Sequence, residues 1–255
     1  MGIGAFALVR AAAMVCATLA APAAALAGPP FRTDDPEPVD YQHWEFYAFS
    51  QATRVQGDTS GTLPGVEINY GAAPELQLHV IAPLAFDAPS GGGTRFGYGD
   101  TELGVKYRFI DEDADGWRPQ LGVFPLLEVP TGNERRGLGT GHVDAFIPLW
   151  LQKSFGSWTT YGGGGYWINP GAGNKNYVFL GWLLQRQVTD ALAIGGEVFH
   201  QTANIVGGRD SSGFNLGAVY DFSENHHLLL SAGRGLQNAT STNELSYYLA
   251  YQLTF

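Results

Sequence analysis

Charge is scarce in this sequence. Only 15% of its 255 residues are Asp, Glu, Lys or Arg, against about a quarter in ordinary soluble domains. Long apolar runs are missing too. Past residue 27 the longest spans residues 145–151 and is broken by Pro148. A spanning helix needs roughly 20 residues, so a helical membrane protein is excluded. The single cysteine, Cys16, lies in the N-terminal leader, which leaves the mature chain without a disulfide. Basic residues are few, 14 against 24 acidic, for a formal charge of −10. Such a surface repels nucleic acid and excludes that partner class. What abounds is glycine, 35 residues, and aromatic side chains, 13% of the chain. That aromatic content rules out a chain unable to collapse. Both residue types are poor helix formers, which argues against a helix-rich enzyme.

Residues 1–27 read as a secretory signal peptide. Arg10 is its basic element, residues 11–21 its apolar stretch, and Ala25-Leu26-Ala27 an A-x-A cleavage site. Residues 28–40 (GPPFRTDDPEPVD) hold four prolines and four acids. They predict an extended N-terminal segment placed in the periplasm. From Tyr41 to Phe255 the pattern is uniform. Stretches of roughly ten residues alternate apolar and polar, separated by Gly, Asn, Asp and Pro clusters. In the last stretch Leu245, Tyr247, Leu249, Tyr251, Leu253 and Phe255 share one face, opposed by Ser246, Tyr248, Ala250, Gln252 and Thr254. Period two over that length is a strand.

Twelve such segments are predicted: 42–54, 62–71, 75–86, 100–110, 117–129, 142–153, 158–168, 176–187, 190–201, 213–222, 227–236 and 244–255. The eleventh is ambiguous, because Leu228, Leu229 and Leu230 are consecutive. In the seventh, Gly162 to Gly165 remove the side chains, which relieves crowding or lets the wall bend. Connections alternate short (72–74, 111–116, 154–157, 188–189, 223–226) and longer (55–61, 87–99, 130–141, 169–175, 202–212, 237–243). This is the pattern of an all-β, up-and-down antiparallel transmembrane barrel of about twelve strands, with short turns and both termini on the periplasmic side. A soluble sandwich would have shorter strands. It would also not gather aromatics at strand ends as here: Trp44, Phe86, Tyr107, Phe109, Trp117, Trp158, Trp167, Tyr220, Phe222 and Phe255 suggest interfacial girdles. The expected location is a Gram-negative outer membrane.

Three stretches carry a resemblance. PFRTDDPEP followed by HWEFYAFSQ, GYGDTELGVKYRF (97–109), and VPTG followed by GTGHVD (129–144) are similar to the outer-membrane family labelled "putative MetA-pathway of phenol degradation". The resemblance implies a twelve-stranded barrel that passes small molecules, hydrophobic or aromatic ones among them. It supplies no catalytic residues.

Charge on a lipid face near mid-membrane costs about 2–4 kcal/mol for Arg or Lys. The lumen-lining candidates are therefore Glu45, Glu67, Asn69, Gln77, His79, Glu102, Lys106, Arg108, Glu128, Asp144, Arg186 and Glu197. They describe a polar, acid-leaning conduit that disfavours anions, or else a network that neutralises itself and fills the bore. Twelve strands lie between small filled barrels and wide porins.

Other motifs carry less. Asp111 to Gly116 resembles the opening of a calcium loop, but the twelfth position, which needs a bidentate Glu, is Gly122. His226-His227 has no third ligand in view. No G-x-S-x-G, H-E-x-x-H or P-loop occurs. His142 and His200 approach Ser154 or Ser157 only at a strand's length. No catalytic, cofactor or metal residue is assigned. Expected partners are outer-membrane lipid, lipopolysaccharide (through Glu134, Arg135 and Arg136) and the barrel-assembly machinery, through the strand ending at Phe255. The function expected is passive passage of small molecules. The alternatives are a non-conducting structural or interaction barrel and, third, a barrel-wall enzyme.

Overall fold

Backbone amides and carbonyls in lipid have no water to bond, so a sheet can cross a membrane only if no edge is left open. This chain meets that condition. The computed structural model describes residues 29–113 and 115–255; the leader assigned to residues 1–27 lies outside them. Twelve wall strands follow one another: β1 (Trp44–Val55), β2 (Asp58–Ala73), β3 (Leu76–Ala88), β4 (Arg95–Tyr98 and Thr101–Ile110), β5 (Gln120–Val123 and Leu126–Val129), β6 (Asp144–Phe155), β7 (Trp158–Ile168), β8 (Tyr177–Thr189), β9 (Leu192–Gln201), β10 (Ser211–Ser223), β11 (His226–Gln237) and β12 (Leu245–Thr254). Neighbours pair antiparallel, and β12 closes on β1 from Glu45–Thr254 to Arg54–Leu245. One rim carries Trp44 and Phe255, whose backbones exchange hydrogen bonds of 2.7 and 3.0 Å. We call it the terminal rim and the opposite one the loop rim.

Two strands are interrupted for local reasons. β5 breaks at Phe124-Pro125, where proline offers no N–H to the ladder. β4 breaks at Gly99-Asp100. The Asp100 carboxylate is engaged by Gly132 N at 2.8 Å, Thr140 N at 2.6 Å and Thr140 Oγ1 at 3.0 Å, so the break ties the long connection 130–143 to the wall. Two connections differ from expectation. The stretch 55–61 is no loop: Gln56 and Gly57 both take positive φ (53° and 85°) and form a tight hairpin turn, with Val55 paired to Asp58. The expected short turn 111–116 runs to residue 119, because β5 begins only at Gln120.

The faces are inverted relative to a soluble protein. Leu103, Val105, Leu149, Leu180, Leu184, Val198 and Leu249 point outward and are exposed, whereas Glu67, Asn69, Lys106, Glu197 and Gln252 are buried inside. Burial resolves the ambiguous β11: Leu229 faces in at 1% exposure, set opposite Ala250, and Leu230 faces out. Gly163 and Gly164 have φ of +144° and +157°, in the range that favours glycine. A Cβ at Gly162 would meet the Trp182 ring at 2.6 Å, and one at Gly163 would meet Leu149 O at 2.1 Å. This glycine run lets Trp182 lie flat on the outside. Trp167 corrects the girdle expectation: it turns inward, stacked on Phe146 at 4.8 Å. Trp117 is 89% exposed on the turn 111–119, and Trp158, Tyr220 and Phe222 are exposed near the same rim.

The outward face gives a direct prediction. Leu149→Arg, at mid-strand, is expected to lower the unfolding free energy in bilayers by about 2–4 kcal/mol, read by urea titration. A change near zero would mean that Leu149 does not face lipid.

Candidate functional site

Residues 29–40 lie inside the barrel. This corrects the periplasmic placement expected from composition. Four prolines leave the segment few N–H groups that need partners; Asp35 N and Glu37 N donate within the segment, to Asp34 and Asp35, and three others are bonded to the wall. Arg32 N and Thr33 N donate to Glu197 Oε1 and Oε2 at 2.9 and 2.8 Å, and Thr33 Oγ1 donates to Oε2 at 2.6 Å. Val39 N donates to Gln77 Oε1 at 2.9 Å. Gln152 Nε2 donates to Glu37 Oε2 at 3.0 Å, and Ser231 Oγ donates to Pro30 O. Lys106 Nζ lies 2.9 Å from Asp34 and 3.5 Å from Asp35. The segment thus crosses the lumen and is anchored on β3, β4, β6, β9 and β11. Glycine makes room for it: a Cβ at Gly71 would sit 1.9 Å from Asp40 O, and one at Gly181 2.1 Å from Thr33 Oγ1. Burial pushes the Asp35 carboxyl above the usual carboxylate range against the pull of Lys106. It does the same to Glu37 against its bond from Gln152.

The predicted lumen residues divide into groups. Glu45, Glu67, Asn69, His79 and Glu102 form one network. Tyr47 OH donates to Glu45 at 2.8 Å, and Asn69 Nδ2 donates to Glu67 at 2.9 Å. That bond turns Asn69 Oδ1 toward His79 Nδ1 at 2.6 Å, while His79 Nε2 faces Glu102 Oε1 at 2.9 Å. Both His79 nitrogens thus face side-chain oxygens of the network. Gln77, Lys106 and Glu197 hold the inner segment. Glu128 is register-paired with both Glu102 and Asp144, and Asp144 lies 2.9 Å from His142 Nδ1. Arg108 sits at the terminal rim with Glu75 and with Asp111 at 3.1 Å. Arg186 contradicts the expectation. It shares the outward face of Trp182 and Leu184, is exposed, and lies over the Trp158 ring at 5.2 Å. A long cationic side chain near a rim reaches the interface, so the mid-membrane cost does not apply.

One half of the bore is packed with Phe124, Phe146, Trp150, Phe179 and Phe199. Arg32 stacks its guanidinium on Phe199 and Phe179 at 4.4 and 5.2 Å. The other half holds two cavities. The upper one, about 530 Å³, reaches loop-rim residues Asn204, Arg209 and Ser241; the lower one, about 440 Å³, reaches His43, Trp44 and Glu224 at the terminal rim. Phe31 and Arg32 line both and stand between them. Seven carboxylates line the lower cavity, among them Glu45, Glu67 and Glu102.

The remaining motifs resolve simply. Glu112 of the calcium-like turn is bonded by Lys153 Nζ at 2.7 Å and Ser154 N at 3.0 Å. His227 lies 2.6 Å from Asp221 and is buried, whereas His226 is exposed beside the Tyr251 hydroxyl, so the two histidines share no site. Among the described residues no three His, Cys, Asp or Glu side chains gather to hold a metal. Ser154 Oγ faces Thr159 at 3.3 Å; His142 meets Asn174, and His200 meets Ser212. Sequence reasoning missed Phe31, Arg32, Thr33 and Asp34 as lumen residues. The signal was present in the proline-rich, acidic composition of 28–40, which matches a buried lysine, but composition gives no direction.

Lys106 is the inner segment's cation partner. Lys106→Met is expected to free the segment, because Asp34 and Asp35 would be left without it. Trypsin, which cuts after Arg32, should then cleave the folded protein at least tenfold faster. An unchanged rate would show that the other anchors suffice.

The comparisons agree with this architecture. The crystal structure of the COG4313 outer membrane channel from Pseudomonas putida F1 is similar over 86% of this chain and 99% of that one, with 18% identity and a TM-score of 0.68. The NanC porin is similar over 82% of this chain and 98% of that one, with 6% identity and a TM-score of 0.58. At such identities the likeness is one of fold. No curated protein matches the chain. The family model described as "Putative MetA-pathway of phenol degradation" matches residues 43–253, and to that family of outer-membrane barrels the chain belongs.

Proposed function

We infer that this channel-like barrel passes small water-soluble molecules passively along its lumen, with the inner segment 29–40 as the gate. The observation that carries the reading is the pair of cavities, one reaching each rim and parted by Phe31 and Arg32. A barrel filled for structural purposes alone would have no need of two such spaces, and twelve strands enclose room for them. Polar walls favour water-soluble cargo. The five aromatics of the packed half cover one another and Arg32, so the surface left to the hydrophobic or aromatic molecules that the family's label suggests is that of cavity-lining rings such as Phe31, Tyr47, Tyr247 and Tyr248, set among polar groups. In this reading the terminal rim faces the periplasm.

The test is single-channel recording of the refolded protein in a planar bilayer under a salt gradient. Discrete conductance steps are expected. Silence from demonstrably folded protein, wild type and gate variants alike, would overturn the reading in favour of a filled barrel.

A further inference from the structure

The two cavities have opposite electrostatic character. Seven carboxylates line the lower one, whereas no Asp or Glu lines the upper. Its charged residues are Arg32 and Arg209, set among hydroxyls and amides such as Gln51, Thr53, Ser60 and Asn204. Arg32 is exposed within the lumen. Its guanidinium stacks on Phe199 and donates to the Gln201 amide oxygen at 3.1 Å; among the described residues no carboxylate is in direct ion-pair contact with it, and Glu197 is the nearby acid whose charge reaches it. Glu197, which takes Arg32's backbone N–H, is 2% exposed and already accepts from Thr33 and Asn215. A guanidinium on an aromatic floor with no carboxylate in direct contact keeps most of its donors free, in the planar fork that fits a carboxylate.

We propose that the upper cavity is a docking site for small hydroxylated carboxylates, of the sugar-acid or hydroxy-acid class. Arg32 takes the carboxylate, and the surrounding amides and hydroxyls take the ligand's hydroxyls. Its volume of about 530 Å³ lies within the range of small-molecule sites. An apolar solute would strand the polar lining, and a cation would meet two arginines. The proposal builds on the reading of the lumen as a conduit, since it names the class of solute; binding itself requires no conduction.

The experiment is calorimetric titration of the full folded protein, in zwitterionic detergent at low salt, with gluconate and with its neutral analogue glucose. Gluconate is expected to bind at least tenfold more tightly than glucose. Arg32→Gln should remove that preference. Ser60→Asp, which places a carboxylate in the cavity without altering the inner segment, should remove it too and covers the case in which Arg32→Gln fails to fold. Equal binding of gluconate and glucose, or full preference retained in Ser60→Asp, would overturn the proposal. Gluconate binding by a barrel that never conducts would overturn passage and leave the site standing. Conduction without gluconate preference would do the reverse.

Discussion

Glu197→Ala should open the barrel. This carboxylate accepts three hydrogen bonds from the inner segment, from Arg32 N, Thr33 N and Thr33 Oγ1, all at 2.9 Å or less. Hydrogen bonds to a charged group contribute about 1.5–3 kcal/mol each. Even if neighbouring groups recover most of that, a net loss of roughly 3 kcal/mol raises the released population on the order of 100-fold. Two readouts follow it: larger or longer conductance steps, and faster tryptic cleavage after Arg32. Glu197→Gln, which keeps one acceptor oxygen, should fall between. If the variant folds and neither readout moves, Glu197 is not the latch, and the segment is held by Lys106 and Gln77 instead.

The second large effect is expected from a residue that has no side chain. Gly181 lies on β8 directly under Thr33, and a Cβ there would approach Thr33 Oγ1 to 2.1 Å and Thr33 Cβ to 3.0 Å. Gly181→Leu therefore cannot coexist with the seated segment. Overpacking of this kind costs about 1–3 kcal/mol where the surroundings can shift. Here the thing that can shift is the segment rather than the barrel wall. Conductance and cleavage after Arg32 should each rise on the order of tenfold or more. The partner is specific, so Thr33→Gly in the same chain should restore much of the closed state, and the double-mutant cycle should be strongly non-additive. Gly91→Leu, in the connection 89–94 with nothing within 4 Å of its Cβ, is the control and should change nothing. A Gly181→Leu barrel as closed as wild type would show that residues 29–40 are not fixed against β8.

Much of this architecture is written in the order of residues. Period-two alternation depends only on the geometry of an extended chain, so the faces of β12, β4 and β6 could be read directly. So could the strand count and the closed topology, because an open edge in lipid is too costly to keep. The inward placement of Glu67, His79, Lys106 and Glu197 follows from the same alternation, since each sits out of phase with its apolar neighbours.

Arg186 shows the limit of arguing from charge alone. Its phase, shared with Trp182 and Leu184, already pointed outward, and only depth relative to the rim makes that tolerable. Leu228, Leu229 and Leu230 carry no alternation, and the pairing of Leu229 with Ala250 settled their phase. Trp167 was placed by its partner across the ladder, Phe146 on β6, on which it stacks inside the barrel. The inner segment was the largest gap. Prolines and acids without a period state that a stretch is extended, not where it goes. Its path was decided by contacts far apart in sequence, Glu197 with Thr33, Lys106 with Asp34 and Gln77 with Val39. Sequence alone thus determined the wall, because a wall is local periodicity repeated. Tertiary structure alone decided the seat of the inner segment and the two cavities, because they exist only where residues from opposite sides of the closed barrel meet.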